Sequence, residues 1–421
     1  MQHHTKDKRI ILKDSITIDN SVYSPDNLPE PLVIHEKLGI AADRRLSVSR
    51  VYLDQFTCHP RSIITPKGDF LLFYPAGPVH YAWHHSSAAD RNHMYIRRSS
   101  DHGKTWSSPE VAWTIPYSQH AAIPFIPDGS SRIYVFGTEP DPGHGYTDGE
   151  NSPIAFRFSD DDGYTWSEPH FINPVNAPGF MGMSAMRMAE TGDGTWLLGT
   201  HDVVMIDGKY HECRQYLLVS RDCGKTWTLE PCHHDGSFGW GISGGRLHEG
   251  RPCYLGNNEV FMLIRSSEGH LWNVRSYDNG QNWTSPEPTV LKHLEAPPML
   301  FKLDQSLIAF IHNRNHFANA FHEFAHEIRA ELWMVMSEDG GRTWSEPQFI
   351  MAEAGFPPTL NQWGGQTPMV SYADLLVDGE DLHLFVDHEM RQVLHAKFKR
   401  SDLKEFKTAS YFAPISIHHN V

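Results

Sequence analysis

The sequence predicts an all-β fold, a single β-propeller of four-stranded antiparallel blades, from three observations. The motif Ser-x-Asp-x-Gly-x-Thr-Trp recurs around Asp101, Asp161, Asp222, Asp278 and Asp339, at intervals of 60, 61, 56 and 61 residues. A fixed period of that size marks stacked or radial repeats. Apolar residues alternate on both sides of the motif, as in Asn92–Arg98 and Glu331–Met336, which is the period-2 pattern of strands. Roughly forty residues before each motif, a short apolar strand runs into a polar turn and a second strand.

Each motif has a chemical reason to be a turn, because Asp bonds backbone two residues on and Gly supplies a positive φ. It therefore belongs in a hairpin, once per unit, with its Trp packed between neighbours. The earlier turns are Lys67-Gly68, Asp128-Gly129, Asp304-Gln305 and Asp378-Gly379. Four strands in about sixty residues is the content of a propeller blade.

Six units can be traced, starting near residues 57, 118, 180, 240, 295 and 366. Residues 1 to about 55, closed by Tyr411–Ile417, supply a further blade on this reading. Dividing the length by the period gives roughly seven blades, with six as the alternative. One closed ring over 1–421 explains why no linker divides so long a chain.

Aromatic content of 12% and 28 prolines agree with a mostly β protein, and no apolar run is long enough to cross a membrane. A net charge of −15 argues against nucleic acid, although a local Arg and His cluster can still attract a small anion. The expected partner is an anionic glycan, with no nucleic acid and no membrane, and the chain is expected to be a monomer. The start, Met1-Gln2-His3-His4-Thr5-Lys6, has no apolar leader. The chain is then cytoplasmic or numbered after a removed leader, and the substrate class favours an extracellular place.

Cys213, Cys223, Cys232 and Cys253 lie close to His211, His233 and His234 but lack a C-x-x-C pair. Disulfides or buried thiols are favoured over zinc there. No cofactor is required. Structural Zn²⁺ or Ca²⁺, the latter at Asp160-Asp161-Asp162, is an alternative to a plain hydrogen-bonded turn.

The repeats, with Asn258–Arg265 and Ser276–Trp283, resemble the Asp-box (BNR-repeat) sialidase superfamily of β-propellers over residues 57 to 400. That resemblance implies three arginines binding a carboxylate, a Tyr-Glu nucleophile pair and an Asp acid/base in the loop after the first inner strand. Arg61 stands in the first-arginine position, in Cys58-His59-Pro60-Arg61-Ser62 rather than Phe-Arg-Ile-Pro. Arg187, Arg265 and Arg314 are further candidates, and Tyr372 stands in the last inner strand. The resemblance does not single out the nucleophile pair in this chain.

The loop Gly77–His93 contains His80, His84, His85 and His93 but only one carboxylate, Asp90. Histidine titrates near neutrality, which suits general acid–base chemistry. Other histidines expected in funnel loops are His59, His120, His144, His201, His312, His316 and His388. Within the superfamily the chain is most similar to the L-rhamnose-α-1,4-D-glucuronate lyases that act on gum arabic. That similarity implies β-elimination from a uronate, with arginines pairing the carboxylate while His or Tyr takes the C5 proton.

On this reading His85 and Tyr372 are catalytic, and Arg61, His84, Arg91, His120, Tyr146, Arg187, His201, Arg265 and Arg314 bind substrate. A sialidase-like exo-glycosidase acting through Asp90 and Tyr372 is the alternative, and a non-catalytic glycan-binding propeller is third. His322-Glu323-Phe324-Ala325-His326 spells the H-E-x-x-H of zinc proteases. Its place between propeller strands favours a loop helix over the funnel.

Overall fold

The computed structural model describes residues 16–18, 21–23, 46–53, 56–57, 59–77, 93–115, 122–139, 151–206, 209–312, 329, 331–352, 370–388 and 392–411. They form six four-stranded antiparallel blades, plus a separate small hairpin at Ile16–Ile18 and Ser21–Tyr23. In chain order, the inner strands of blades I to VI are Arg61–Ile64, Ile123–Phe125, Ser184–Glu190, Leu247–Gly256, Met299–Leu303 and Val370–Asp378. Each packs against the next, and blade VI packs against blade I, so the ring is closed.

Among the described residues the ring closes with six blades, not the seven expected from chain length, and residues 412–417 of the expected closing segment lie outside them. Ser47–Leu53 pairs instead with Gln392–Lys399 as the outermost strand of blade VI. The N-terminal region thus closes the sixth blade, because a ring needs only one strand contributed from the far end of the chain to join its ends. Phe56–Thr57 adds a fifth strand to blade I beside Phe70–Gly77. The sixth unit carries no Asp-box, and at the corresponding place around Asp402 the chain forms a short 3₁₀ turn, Arg400–Glu405.

The Asp-boxes fold as their chemistry dictates. In the first, Ser99 Oγ donates to Asp101 Oδ1 at 2.8 Å, Gly103 N donates to Ser99 Oγ at 2.9 Å, and Thr105 N donates to Asp101 Oδ1 at 2.9 Å. The same bonds recur around Asp161, Asp222 and Asp339. Asn282 replaces Thr in the fourth box and donates from both its backbone N and Nδ2 to Asp278.

Four of the five box tryptophans lean on the preceding blade's second strand, while Trp283 meets Trp240 at 5.5 Å between ring centroids. Trp106 meets Phe385 at 5.6 Å, Trp166 meets Phe73 at 5.7 Å, Trp227 meets Phe136 at 5.9 Å and Trp344 meets Phe261 at 6.4 Å, between ring centroids. The repeat is therefore an inter-blade staple, and aromatic contacts of this kind add to plain apolar burial.

Buried imidazoles make stability pH-dependent. Burial, with Lys397 nearby, lowers His383 to about 4, and burial beside His383 lowers His395 to about 3. Burial and the Arg329 charge lower His312 to about 3. An unfolded histidine titrates near about 6.5. These groups favour the fold fully above that pH, and their contribution is lost as pH falls toward the lowered values. The bond from Thr105 lowers Asp101 to about 2 and that from Thr165 does the same for Asp161, so their contribution is lost only as pH falls from about 4 toward 2. The melting temperature is expected to drop first between pH 6.5 and 4 and again below 4. A melting temperature constant from pH 7 to 4.5 would contradict the histidine assignment.

Candidate functional site

Three strained residues locate the site. Of the non-glycine residues with positive φ, His102, Asp162, Cys223 and Asn279 belong to Asp-box turns, and Asn257, Asn258 and Asp304 to hairpin turns. The others are His59 (φ 52°), Glu249 (φ 54°) and Tyr372 (φ 52°), and none of them lies in a hairpin turn. Such backbone costs about 1–3 kcal/mol per residue and collects at functional sites.

Tyr372 lies in a bulge of blade VI's inner strand, where the register shifts between Ser371 and Asp374. The His59 ring stacks on its ring at 3.7 Å. Arg329 Nη1 donates to the Tyr372 hydroxyl at 2.6 Å, while Arg329 Nη2 donates to the Glu295 carbonyl at 2.9 Å. A guanidinium thus faces the phenolic oxygen.

Glu249 lies in the matching bulge of blade IV, between His248 and Arg251. Arg265 Nη1 pairs with its Oε2 at 2.6 Å, and Arg265 Nη2 lies 3.7 Å from Glu295 Oε1. Burial works against the Arg265 charge, but Glu249 and Glu295 outweigh it and raise the guanidinium's pKa, with Tyr372 adding to the effect. Arg246 Nη2 holds Glu295 Oε2 at 2.6 Å, and His248 Nε2 lies 3.7 Å from Oε1. Burial alone would raise Glu295, yet His248, Arg265 and Arg246 keep it below the usual range.

Arg61 opens blade I's inner strand, is 4% exposed, and donates from Nη1 to the Pro60 carbonyl at 2.7 Å. Asp374, two residues beyond Tyr372, accepts from Ser62 N at 2.7 Å and Ser62 Oγ at 2.6 Å. It thereby ties blade VI to blade I beside the funnel.

The blade IV bulge is fixed from behind. Gly250 N donates to Gln215 Oε1, and Gln215 Nε2 donates to the Thr200 carbonyl at 2.8 Å. A Cβ on Gly199 would stand 2.1 Å from the Gly250 carbonyl oxygen. Gly199→Ala is expected to cost about 1–3 kcal/mol and to displace Glu249, lowering kcat/KM. Thermal unfolding and kinetics of that variant check both, and a wild-type result in each contradicts the bulge's role.

Of the residues named from sequence, Arg61, Arg265, Tyr372 and His59 fall within this cluster. Arg187, on blade III's inner strand, stands over the Phe301 ring at 4.8 Å. His201 is fully buried, bonded to Ser184 Oγ at 2.7 Å, with its ring 5.3 Å from that of His248. It sits one layer behind the cluster. His312 is buried beside His293, and His388 bonds Gln392.

His84, His85, Asp90, Arg91, His120, His144, Tyr146, Arg314, His316 and the segment 322–326 lie outside the described residues. The described cysteines Cys213, Cys223, Cys232 and Cys253 are free thiols, two of them buried. No metal-binding cluster occurs among the described residues. Sequence reading missed Glu249, Arg251, Glu295, Arg329 and Asp374. The available signal was charge inside a segment expected to be an inner strand, as in Leu247-His248-Glu249-Gly250-Arg251.

A family description of a BNR repeat-like domain matches residues 117–384. Among solved structures, one similar chain is a protein of unknown function from Dyadobacter fermentans, at 13% identity and TM-score 0.61, covering 84% of this chain and 99% of that one. The NanB sialidase of Streptococcus pneumoniae matches at 11% identity and TM-score 0.60, covering 91% and 74%. An α-L-arabinanase from Penicillium chrysogenum matches at 14% identity and TM-score 0.53, covering 90% and 100%. At these identities the likeness shows the fold alone. No curated protein matches the chain by sequence.

Proposed function

The chain belongs to the BNR repeat-like domain family, and on that footing we propose that it is an exo-acting carbohydrate-active enzyme. It takes a sugar acid at or next to the non-reducing end by its carboxylate and breaks the adjoining glycosidic linkage. The observation that carries this reading is the strained Tyr372, whose hydroxyl accepts from Arg329 at 2.6 Å within a guanidinium-rich funnel. Solved neighbours that are a sialidase and an arabinanase support action on glycans.

Arg61, Arg265 and Arg329 are the carboxylate's partners, and bidentate guanidinium pairing orients it. A carboxylate held there leaves few carbons within reach of the Tyr372 oxygen. Either the carboxyl-bearing carbon is anomeric, as in a 2-ulosonic acid glycoside, or it is C5 of a uronic acid.

In the first case the Tyr372 oxygen forms a bond to the anomeric carbon as the glycosidic bond breaks. The departing oxygen takes a proton from an acid, Asp90 by the superfamily resemblance, and water then releases the sugar. Glu249 accepts the phenolic proton. A neutral phenol approaches an anionic substrate without the repulsion that a carboxylate nucleophile meets, and sialidases use a Tyr nucleophile for this step.

A second reading is favoured by the Arg265–Glu249 pair at 2.6 Å, which engages the carboxylate while Tyr372 faces a cation. In this reading the Tyr372 oxygen acts as the base. It would take the C5 proton of a uronate made acidic by the arginines, the C4–O bond would break, and a 4-linked rhamnose would leave after protonation by His85. This is the L-rhamnose-α-1,4-D-glucuronate lyase reaction.

Products from an α-sialoside and from a rhamnosyl-glucuronate-capped arabinogalactan separate the readings. Released sugar incorporating ¹⁸O from labelled water means hydrolysis. Rhamnose without ¹⁸O, accompanied by ultraviolet absorbance of an unsaturated uronate, means elimination. Absence of product from these and from other glycosides with a sugar acid at or next to the non-reducing end would overturn the proposal.

A further inference from the structure

The position after the Asp-box glycine holds Lys104, Lys225, Gln281 and Arg342 in four boxes and Tyr164 in the second. The Tyr164 side chain is 65% exposed, yet it is fixed in place. The Arg98 guanidinium stands 4.0 Å from its ring centre, and Arg98 is itself held by Asp69 at 2.9 Å and by the Asp162 carbonyl at 2.8 Å.

Tyr164 borders a groove of about 480 Å³ between the outermost strand of blade I, Glu110–Thr114, and the second Asp-box. Blade I supplies Trp113, braced by Trp166 at 5.5 Å between ring centroids and by Arg157, 5.3 Å over its ring. Glu110 and Glu168 add exposed carboxylates to the lining. Three strand spacings, about 14 Å, separate the Glu110–Thr114 strand from blade I's inner strand, so the groove belongs to the rim and not to the funnel.

Rigid aromatic rings beside carboxylates suit a sugar. The C–H face of a pyranose lies on the negative face of an aromatic ring, and its hydroxyls donate to carboxylates. Arg98 and Arg157 are already ion-paired, the latter with Glu139 at 3.0 Å, and Glu110 and Glu168 repel an anion. The complementary sugar is therefore neutral. Strand addition by a peptide is disfavoured, because the register shift between Met94 and Tyr95 leaves Ala112 as a bulge in the edge strand.

We propose that this rim groove binds a neutral saccharide, the uncharged stretch of a glycan. If the funnel cleaves glycans as proposed above, the groove raises the effective concentration of their chain ends. The binding itself does not rest on that reading.

The test is calorimetry and saturation-transfer NMR with neutral galacto-, manno- and xylo-oligosaccharides. Wild type is expected to bind at least one of them saturably, without competition from glucuronate or N-acetylneuraminate. Tyr164→Gln gives the second box the residue that the fourth carries at Gln281, which preserves the turn. It is expected to weaken saccharide binding by about tenfold or more, whereas Tyr164→Phe keeps the ring and the affinity. No saccharide binding by wild type, competition by the sugar acids, or binding that Tyr164→Gln leaves intact overturns the proposal. Saturable binding of an oligolysine peptide in place of every saccharide would assign the groove to a polypeptide and overturn it as well.

Discussion

Tyr372→Phe is expected to lower kcat by about 10³-fold or more while leaving the melting temperature close to wild type. Phenylalanine keeps the ring against His59, which stacks at 3.7 Å, so packing is preserved. What disappears is the oxygen that accepts from Arg329 Nη1, while Arg329 retains the Glu295 carbonyl through Nη2. KM is expected to change little, because the arginines still hold the carboxylate. The hydrolytic and eliminative readings share this outcome, since each uses the same oxygen, as nucleophile or as base. A Phe variant with more than about a tenth of wild-type kcat would remove Tyr372 from the chemistry.

The second large effect is on stability. Asp374 is 5% exposed, bonds Ser62 twice across the seam between blades VI and I, and offsets the Arg251 charge. Asp374→Ala removes both bonds and leaves the guanidiniums less compensated, an expected loss of about 3–5 kcal/mol. Asp374→Asn keeps an acceptor for Ser62 and loses only the charge, so its loss is expected to be smaller. Urea unfolding of the three proteins measures this. Equal stability of the Ala variant and wild type would mean that neither the seam nor the charge balance depends on Asp374.

Much of the fold was legible because its signal is local. An Asp-box needs only Ser, Asp, Gly and Thr at fixed spacing to close its own hydrogen bonds, and the five boxes located the hairpins of five blades. Blade number was not local. Whether Ser47–Leu53 starts a blade or completes one depends on its pairing with Gln392–Lys399, more than three hundred residues away. The six units traced from sequence correspond to the six blades, and only the extrapolation from length added a seventh.

The site was legible in part. Arg61, Arg265 and Tyr372 could be named because the superfamily resemblance calls for carboxylate-binding arginines and a tyrosine around the funnel. Glu249 and Arg251 could not, because a bulge with positive φ at a glutamate carries no Gly or Asn marker. Asp374 follows Tyr372 in an apolar run, and Arg329 lies just beyond His322–His326, the segment read as a loop helix. Their roles emerge only when the ring brings blades IV, V, VI and I to one axis.

The claim on which the rest stands is that the funnel recognises a carboxylate, and isothermal titration calorimetry tests it directly. A free sugar acid, N-acetylneuraminate or glucuronate, and its carboxamide would be titrated into wild type and into Arg265→Gln. The expected result is saturable binding of the acid, with affinity lower by about tenfold or more for the amide and for the variant, as the loss of a charge-assisted hydrogen bond implies. Equal affinity for acid and amide, or undiminished binding by Arg265→Gln, would contradict it.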